Sequence, residues 1–224
     1  MIAAMRRALA ALVPIVIFAP GAAAATTHVD ANGNAFTGGL SFTPKEVTVA
    51  VGDTVTWTNT DVLVPHTATE DHGLWDLGGS YAGTPVSPPG FPPGATVQRV
   101  FEAGTTAYYC RVHPVAMRGV VAVPVTLGLT QRRVRVRGAR KRKLVRYVDA
   151  RWAAPAPASG EAFDVEIRRG NGAWRAARSG TTETHALIRA GRHGTVTHVR
   201  ARLRRADNAT VATGWSPDAQ ITAP

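Results

Sequence analysis

The densest chemistry in this 224-residue chain lies in "TAYYCRVHPVAMRGVVAV", Thr106 to Val123. It holds the only cysteine, Cys110, followed by His113 and Met117 in a C-x2-H-x3-M arrangement. A thiolate, imidazoles and a weak thioether form a soft, mixed donor set, which suits copper cycling between two oxidation states. Zinc would accept the same donors, but the order of intrinsic affinities favours copper. A second imidazole has to come from elsewhere, and His66 in "DVLVPHTATE" stands just after a strand-like segment containing Trp57. The expected set is His66, Cys110 and His113 in a trigonal plane, with Met117 as a long axial ligand. Cys110 must then bind as the thiolate and both histidines as neutral imidazoles. His72, in "EDHGLW", is the rival donor, but it lacks the strand-end position of His66. His28, His185, His193 and His198 read as surface or turn residues. Trp57, Tyr108 and Tyr109 read as core packing.

The elements that must position these donors read as β throughout. "EVTVAV" and "TVTWTN" alternate apolar and polar residues across a Gly52-Asp53 turn. "ATVQRVFE" and "TAYYC" repeat the pattern across Ala103-Gly104, and "RGVVAVPV" closes the unit. From Glu70 to Pro93 the composition shifts to Gly, Pro and Ser, which reads as a long loop. No helix-period segment of useful length occurs in either half.

Three pieces, "FTPKEVTVAVGDTVTWTNTD", "VPHTAT" and "AGTTAYYCRVHPVAMRGVVAV", resemble the small type 1 (blue) copper proteins, or cupredoxins, such as plastocyanin, pseudoazurin and amicyanin. The resemblance spans about Leu40 to Pro124. It implies an eight-stranded Greek-key sandwich with one copper ion at one end, and transfer of single electrons as the activity. Carried over residue by residue, His66, Cys110, His113 and Met117 are the metal ligands, and the His113 ring edge passes the electron to a redox partner protein. Three residues separate His113 from Met117, where amicyanin-like loops have two and plastocyanin-like loops four. The flanks of Cys110 are Tyr109 and Arg111, so the histidine wiring of multicopper oxidases is missing. No further histidine cluster matches a copper nitrite reductase. The donor set leaves no open position for a substrate, and an enzyme is not expected.

The second half, in "RYVDARWAAPAPASGEAFDVEIRRGNGAWRAA" and "THVRARLRRADNATVATGWSP", resembles a fibronectin type III domain, an immunoglobulin-like β-sandwich. Trp152 would be a core residue there. The expected organisation is a signal peptide over 1–25, a cupredoxin domain over 26–126, a basic linker over 127–143 and the fibronectin-like domain over 144–224. All of it is all-β.

Charge divides the chain at the same place. Residues 26–126 hold four Lys/Arg against eight Asp/Glu, and residues 127–224 hold twenty against seven. The basic stretch from Arg132 to Lys143 reads as a solvated linker or as a patch for an anionic extracellular polymer or membrane surface. The N-terminus has Arg6 and Arg7, an apolar run from Ala8 to Pro20, and small residues ending near Ala25. That order is a cleaved secretory signal, so the protein is expected to be exported: periplasmic, secreted or associated with the cell surface. An exported chain makes nucleic acid a poor partner. A second reading of different class is a copper-storage or adhesion protein.

Overall fold

The computed structural model describes residues 23–33, 38–78, 90–135 and 141–223. The expected signal segment lies almost wholly outside the described residues. All described elements are strands.

The first module contains β1 (Thr26–Asn32), β2 (Ser41–Thr43), β3 (Glu46–Thr48), β4 (Thr54–Asn59), β5 (Ala68–Glu70), β6 (Asp76–Leu77), β7 (Thr96–Val100), β8 (Gly104–Tyr109) and β9 (Arg118–Val123). One sheet has the order β2-β1-β4-β7, and the facing sheet has the order β3-β9-β8-β5-β6. Two residues, Pro44 and Lys45, separate β2 from β3, yet these strands join different sheets. A chain that switches sheets at a bend closes one corner of a sandwich. The β1–β4 and β3–β9 pairings are parallel and the others antiparallel.

Alternation explains which residues turn inward. In β8, Gly104, Thr106 and Tyr108 are buried, while Thr105, Ala107 and Tyr109 are only partly covered. Along β4, Val55, Thr56 and Trp57 are all buried. Trp57 is the centre of an aromatic cluster, with ring centroids 5.4 Å from Tyr108, 6.1 Å from Trp75 and 6.1 Å from Phe101. Truncating such a buried tryptophan to alanine costs about 3–5 kcal/mol. At Gly119 a Cβ would run into the Tyr108 ring, so glycine is what lets β9 lie against it.

The expected Glu70–Pro93 loop begins as ordered structure. Glu70 is buried with both carboxylate oxygens bonded: Oε2 accepts from the N–H groups of His72 and Leu74, and Oε1 faces His72 Nδ1 at 3.0 Å. Trp75 then returns to the core, and β6 pairs with β5. The aromatic core and the buried Glu70 account for the order that a Gly, Pro and Ser composition concealed.

The second module contains β10 (Thr126–Val134), β11 (Lys143–Arg151), β12 (Glu161–Arg169), β13 (Arg175–Thr181), β14 (His185–Arg189), β15 (Val196–Arg205) and β16 (Ala219–Thr222). Its sheets have the orders β10-β11-β14 and β13-β12-β15-β16. The segment expected as a basic linker is different in the structure. β10 and β11 pair antiparallel from Thr126–Arg151 to Val134–Lys143, so residues 126–134 form an edge strand of the second module. An edge strand tolerates arginines facing water, which hid its β pattern.

Trp152 is fully buried, and its Nε1 donates to the Glu183 carbonyl at 2.6 Å. On the outer face of the four-stranded sheet, arginines and tryptophans alternate. The Arg200 guanidinium lies 4.3 Å from the Trp174 ring centroid and 4.7 Å from that of Trp215, and Arg202 lies 4.7 Å from Trp215. Each such stack contributes about 0.5–1 kcal/mol at an exposed site.

The modules touch along one end of β8. The Ala103 N–H donates to the Trp152 carbonyl at 2.7 Å, and Thr105 and Gly214 exchange two backbone bonds. The Thr105 hydroxyl donates to the Trp215 carbonyl at 2.8 Å. Ala103 and Val125 pack into the apolar cluster built around Trp152.

Candidate metal centre

β8 ends at Tyr109, and the next residue, Cys110, begins a tight loop. The His113 N–H donates to the Cys110 carbonyl at 3.1 Å, the Met117 N–H to the His113 carbonyl at 3.0 Å, and the Cys110 N–H to the Met117 carbonyl at 3.0 Å. These bonds curl the C-x2-H-x3-M segment back on itself before β9 starts. Cys110 and Met117 are fully buried, while His113 is half-buried.

His66 arrives from the loop that leads from β4 into β5. Its backbone exchanges two hydrogen bonds with Phe91, 3.2 and 2.8 Å long, which pins the loop between β4 and β5. At Gly90, with φ of 138°, a Cβ would meet the His66 backbone, so this close approach requires glycine. The His66 side chain is fully buried.

The geometry brings three of the expected donors together. His66 Nδ1 lies 3.7 Å and His113 Nδ1 3.9 Å from Cys110 Sγ, and the three donor atoms lie within 4.8 Å of one another. Two nitrogens and a sulfur bound at about 2.0–2.3 Å in a plane would sit roughly 3.6–3.8 Å apart across each N–S edge. The donors therefore fit a trigonally bound ion. Met117 is buried at the end of the same loop. His72 lies outside the cluster, with Nδ1 against Glu70. His198 faces Asp218, 3.0 Å away, in the second module. His28 sits in β1, His185 in β14 and His193 beyond it, none of them in the cluster.

Two residues that sequence reasoning missed complete the surroundings. The Thr67 N–H donates to Cys110 Sγ at 3.3 Å, and the Thr67 hydroxyl accepts from the Arg111 N–H at 2.8 Å. Asp61 is 3 % exposed, and its Oδ2 stands 3.4 Å from His66 Nε2. Neither of those two atoms has a hydrogen-bond partner among the described residues. Asp61 Oδ1 accepts from the N–H groups of Leu63 and Val64, and a Cβ at Gly33 would collide with the carboxylate. The only sequence signal for this pair is a carboxylate five residues before the histidine.

Electrostatics suit metal binding. Burial first, and then the neighbouring His113, hold the His66 imidazole below its ordinary pKa, against the opposing pull of Asp61. The ring is thus neutral and its Nδ1 lone pair available. Burial alone would push the Asp61 carboxyl up, but the backbone N–H groups of Leu63, Val64 and Val62, with His66, bring it below the usual carboxylate range.

A family model for copper binding proteins of the plastocyanin/azurin family matches residues 27–124. A purple cupredoxin from Nitrosopumilus maritimus is 34% identical over 43% of this chain and 97% of that chain, with a TM-score of 0.31. Two methionine-to-alanine mutants of amicyanin in the Cu(I) form are 29% and 30% identical. They cover 46% and 48% of this chain and 86% of each of those chains, with TM-scores of 0.33 and 0.32. No curated protein matches the chain. The matched segment ends before the second module begins. On the strength of that family model and of the identity over nearly a whole cupredoxin, the chain belongs, through residues 27–124, to the plastocyanin/azurin family of copper binding proteins, cupredoxins that carry electrons rather than catalyse a reaction, with copper as the cofactor.

Proposed function

We propose that this chain is an exported carrier of single electrons in which His66, Cys110, His113 and Met117 would hold the copper. The observation that carries this reading is the convergence of two imidazole Nδ1 atoms, at 3.7 and 3.9 Å, on one buried thiol. Bound copper supplies a one-electron couple, tuned by what surrounds the sulfur.

The chain's own residues do the rest. Cys110 would hold the metal through its thiolate sulfur. The Thr67 N–H stabilises negative charge on that sulfur. The Asp61 carboxylate, 3.4 Å from His66 Nε2, favours a ring proton on that side by its charge, which leaves Nδ1 for the metal. Burial of His66, Cys110 and Met117 excludes water, so little solvent has to reorganise when the charge changes. Electrons leave through the ring edge of His113, which is framed by the exposed Pro114, Val115 and Ala116. Val115 is 92% exposed, and the loop leading to His66 presents Val62 and Leu63 at 70% and 58%. Apolar side chains exposed at this end suit brief docking of a redox partner protein.

The second module is read as fibronectin type III-like. Support comes from seven strands divided three and four between two sheets, with a tryptophan buried between them. Its basic surface, around Arg132 to Lys143, is read as binding an anionic surface outside the cell.

The test is to add Cu(II) to the purified chain and record visible and paramagnetic resonance spectra. An intense thiolate-to-copper band that Cys110→Ser abolishes is the expected result. Tight Cu(I) binding with no coloured Cu(II) state would replace the carrier reading with storage. A colourless protein with a titratable thiol would refute both.

A further inference from the structure

The second module is polarised along its length. Along the four-stranded sheet, from the first module outward, carboxylates pair with arginines. Arg200 meets Glu166 at 2.6 Å, Arg202 and Arg204 meet Asp164 at 3.0 Å, and Arg168 meets Asp218 at 2.7 Å. The opposite end, where β10 runs out and β11 begins, has a different character. Arg132, Arg133, Arg135, Lys141, Arg142 and Lys143 are gathered there, with no ion-pairing carboxylate among the described residues. Arg189 and Arg192 reach the same end from β14 and the turn after it, around a cleft of about 320 Å³ that Leu144 and Val145 also line.

One apolar side chain stands out among these cations. Leu144 is 60% exposed and lies opposite Arg133 across the β10–β11 pairing. A soluble polyanion would reward the cations and leave this leucine in water. A lipid surface takes both, with cations at the headgroups and the leucine at the acyl boundary.

We propose that this tip docks on a membrane surface rich in anionic phospholipids; the proposal rests on the reading of the basic module as a binder of anionic surfaces. The topology then sets where the metal stands. β10 has 9 residues and runs about 30 Å from the module interface to the tip. β8 has 6 residues and runs about 20 Å from that interface to Cys110. The tip and the metal centre each lie at the end of their module away from the shared interface, so a docked chain holds its donor cluster away from the lipid. The redox partner that this arrangement serves approaches from the aqueous side.

The experiment uses the whole copper-loaded chain and sedimentation with vesicles of phosphatidylglycerol and phosphatidylcholine in equal parts, or of phosphatidylcholine alone. Binding to the mixed vesicles only, lost on raising salt from about 0.05 to 0.5 M, is expected. Arg132→Ser with Arg133→Ser should weaken partitioning about 25-fold, or about five-fold per cation removed. Leu144→Ser should weaken vesicle binding while leaving binding to soluble polyphosphate unchanged. The visible copper band checks each variant's first module, and a thermal melt its second. Should the strand variants fail to fold, Lys141→Ser with Arg142→Ser, which precede β11, carries the same expectation. Binding to polyphosphate but not to vesicles would overturn the lipid assignment and leave the basic-surface reading standing. Binding to neither would overturn both, and neither result bears on the copper site.

Discussion

Replacing Asp61 by asparagine should raise the reduction potential without removing the metal centre. The substitution keeps size and an acceptor oxygen but deletes a buried negative charge. Asp61 Oδ2 lies 3.4 Å from His66 Nε2. Adding the width of the ring and one metal–nitrogen bond places the charge roughly 7 Å from a bound ion. At an effective dielectric constant of about 20, one unit of metal charge at that distance interacts by about 2 kcal/mol. Cu(II) loses that much more stabilisation than Cu(I). At 59 mV for each tenfold change in a one-electron equilibrium, the potential should rise by about 100 mV. The carboxyl is held below its usual range, so the full effect is present at neutral pH. Voltammetry on the wild type and on Asp61→Asn, with the visible band as a check on the site, measures it. If Asp61 only braces the N–H groups of Leu63 and Val64, the variant will melt at a lower temperature with its potential unmoved. That result would refute the electrostatic argument.

Two further predictions concern the core and the exit. Burial raises the Tyr108 phenol to about 12, and its hydroxyl has no partner among the described residues. The unfolded chain ionises this group near pH 10 while the folded chain keeps it neutral. Stability should therefore fall by about 2 kcal/mol as pH rises from 10 to 12. Melts of the apo protein should show this loss and Tyr108→Phe should lack it; equal alkaline losses in both would refute the assignment. Ala116→Glu, at an exposed position beside His113, should slow electron exchange and leave the visible band intact. An unchanged exchange rate would mean that electrons leave by another edge.

Much of the centre was legible because it is local. Cys110, His113 and Met117 fall within eight residues between two alternating strands, so one loop delivers all three. His66 lies 44 residues from Cys110 and was legible only through its place after the Trp57 strand. Asp61 and Thr67 were not legible. A buried carboxylate and a backbone N–H look ordinary in sequence, and only the path of the loop turns one toward His66 and the other toward Cys110. The pairing of the basic segment with β11 was not legible for a related reason. Arginines in β10 break the apolar alternation, since an edge strand satisfies its pairing through β11 and asks little burial of its own side chains.

By itself, the sequence determined an all-β chain, a division by charge into two halves, and a soft donor set suited to copper, because period-two alternation and donor chemistry are properties of short segments. Only the tertiary structure decided the rest. It aimed two Nδ1 atoms at one sulfur and buried Asp61 behind His66. It also put the cationic tip and the metal centre each at the end of its module away from the shared interface, because strand pairing fixes distances between residues that the chain itself leaves free.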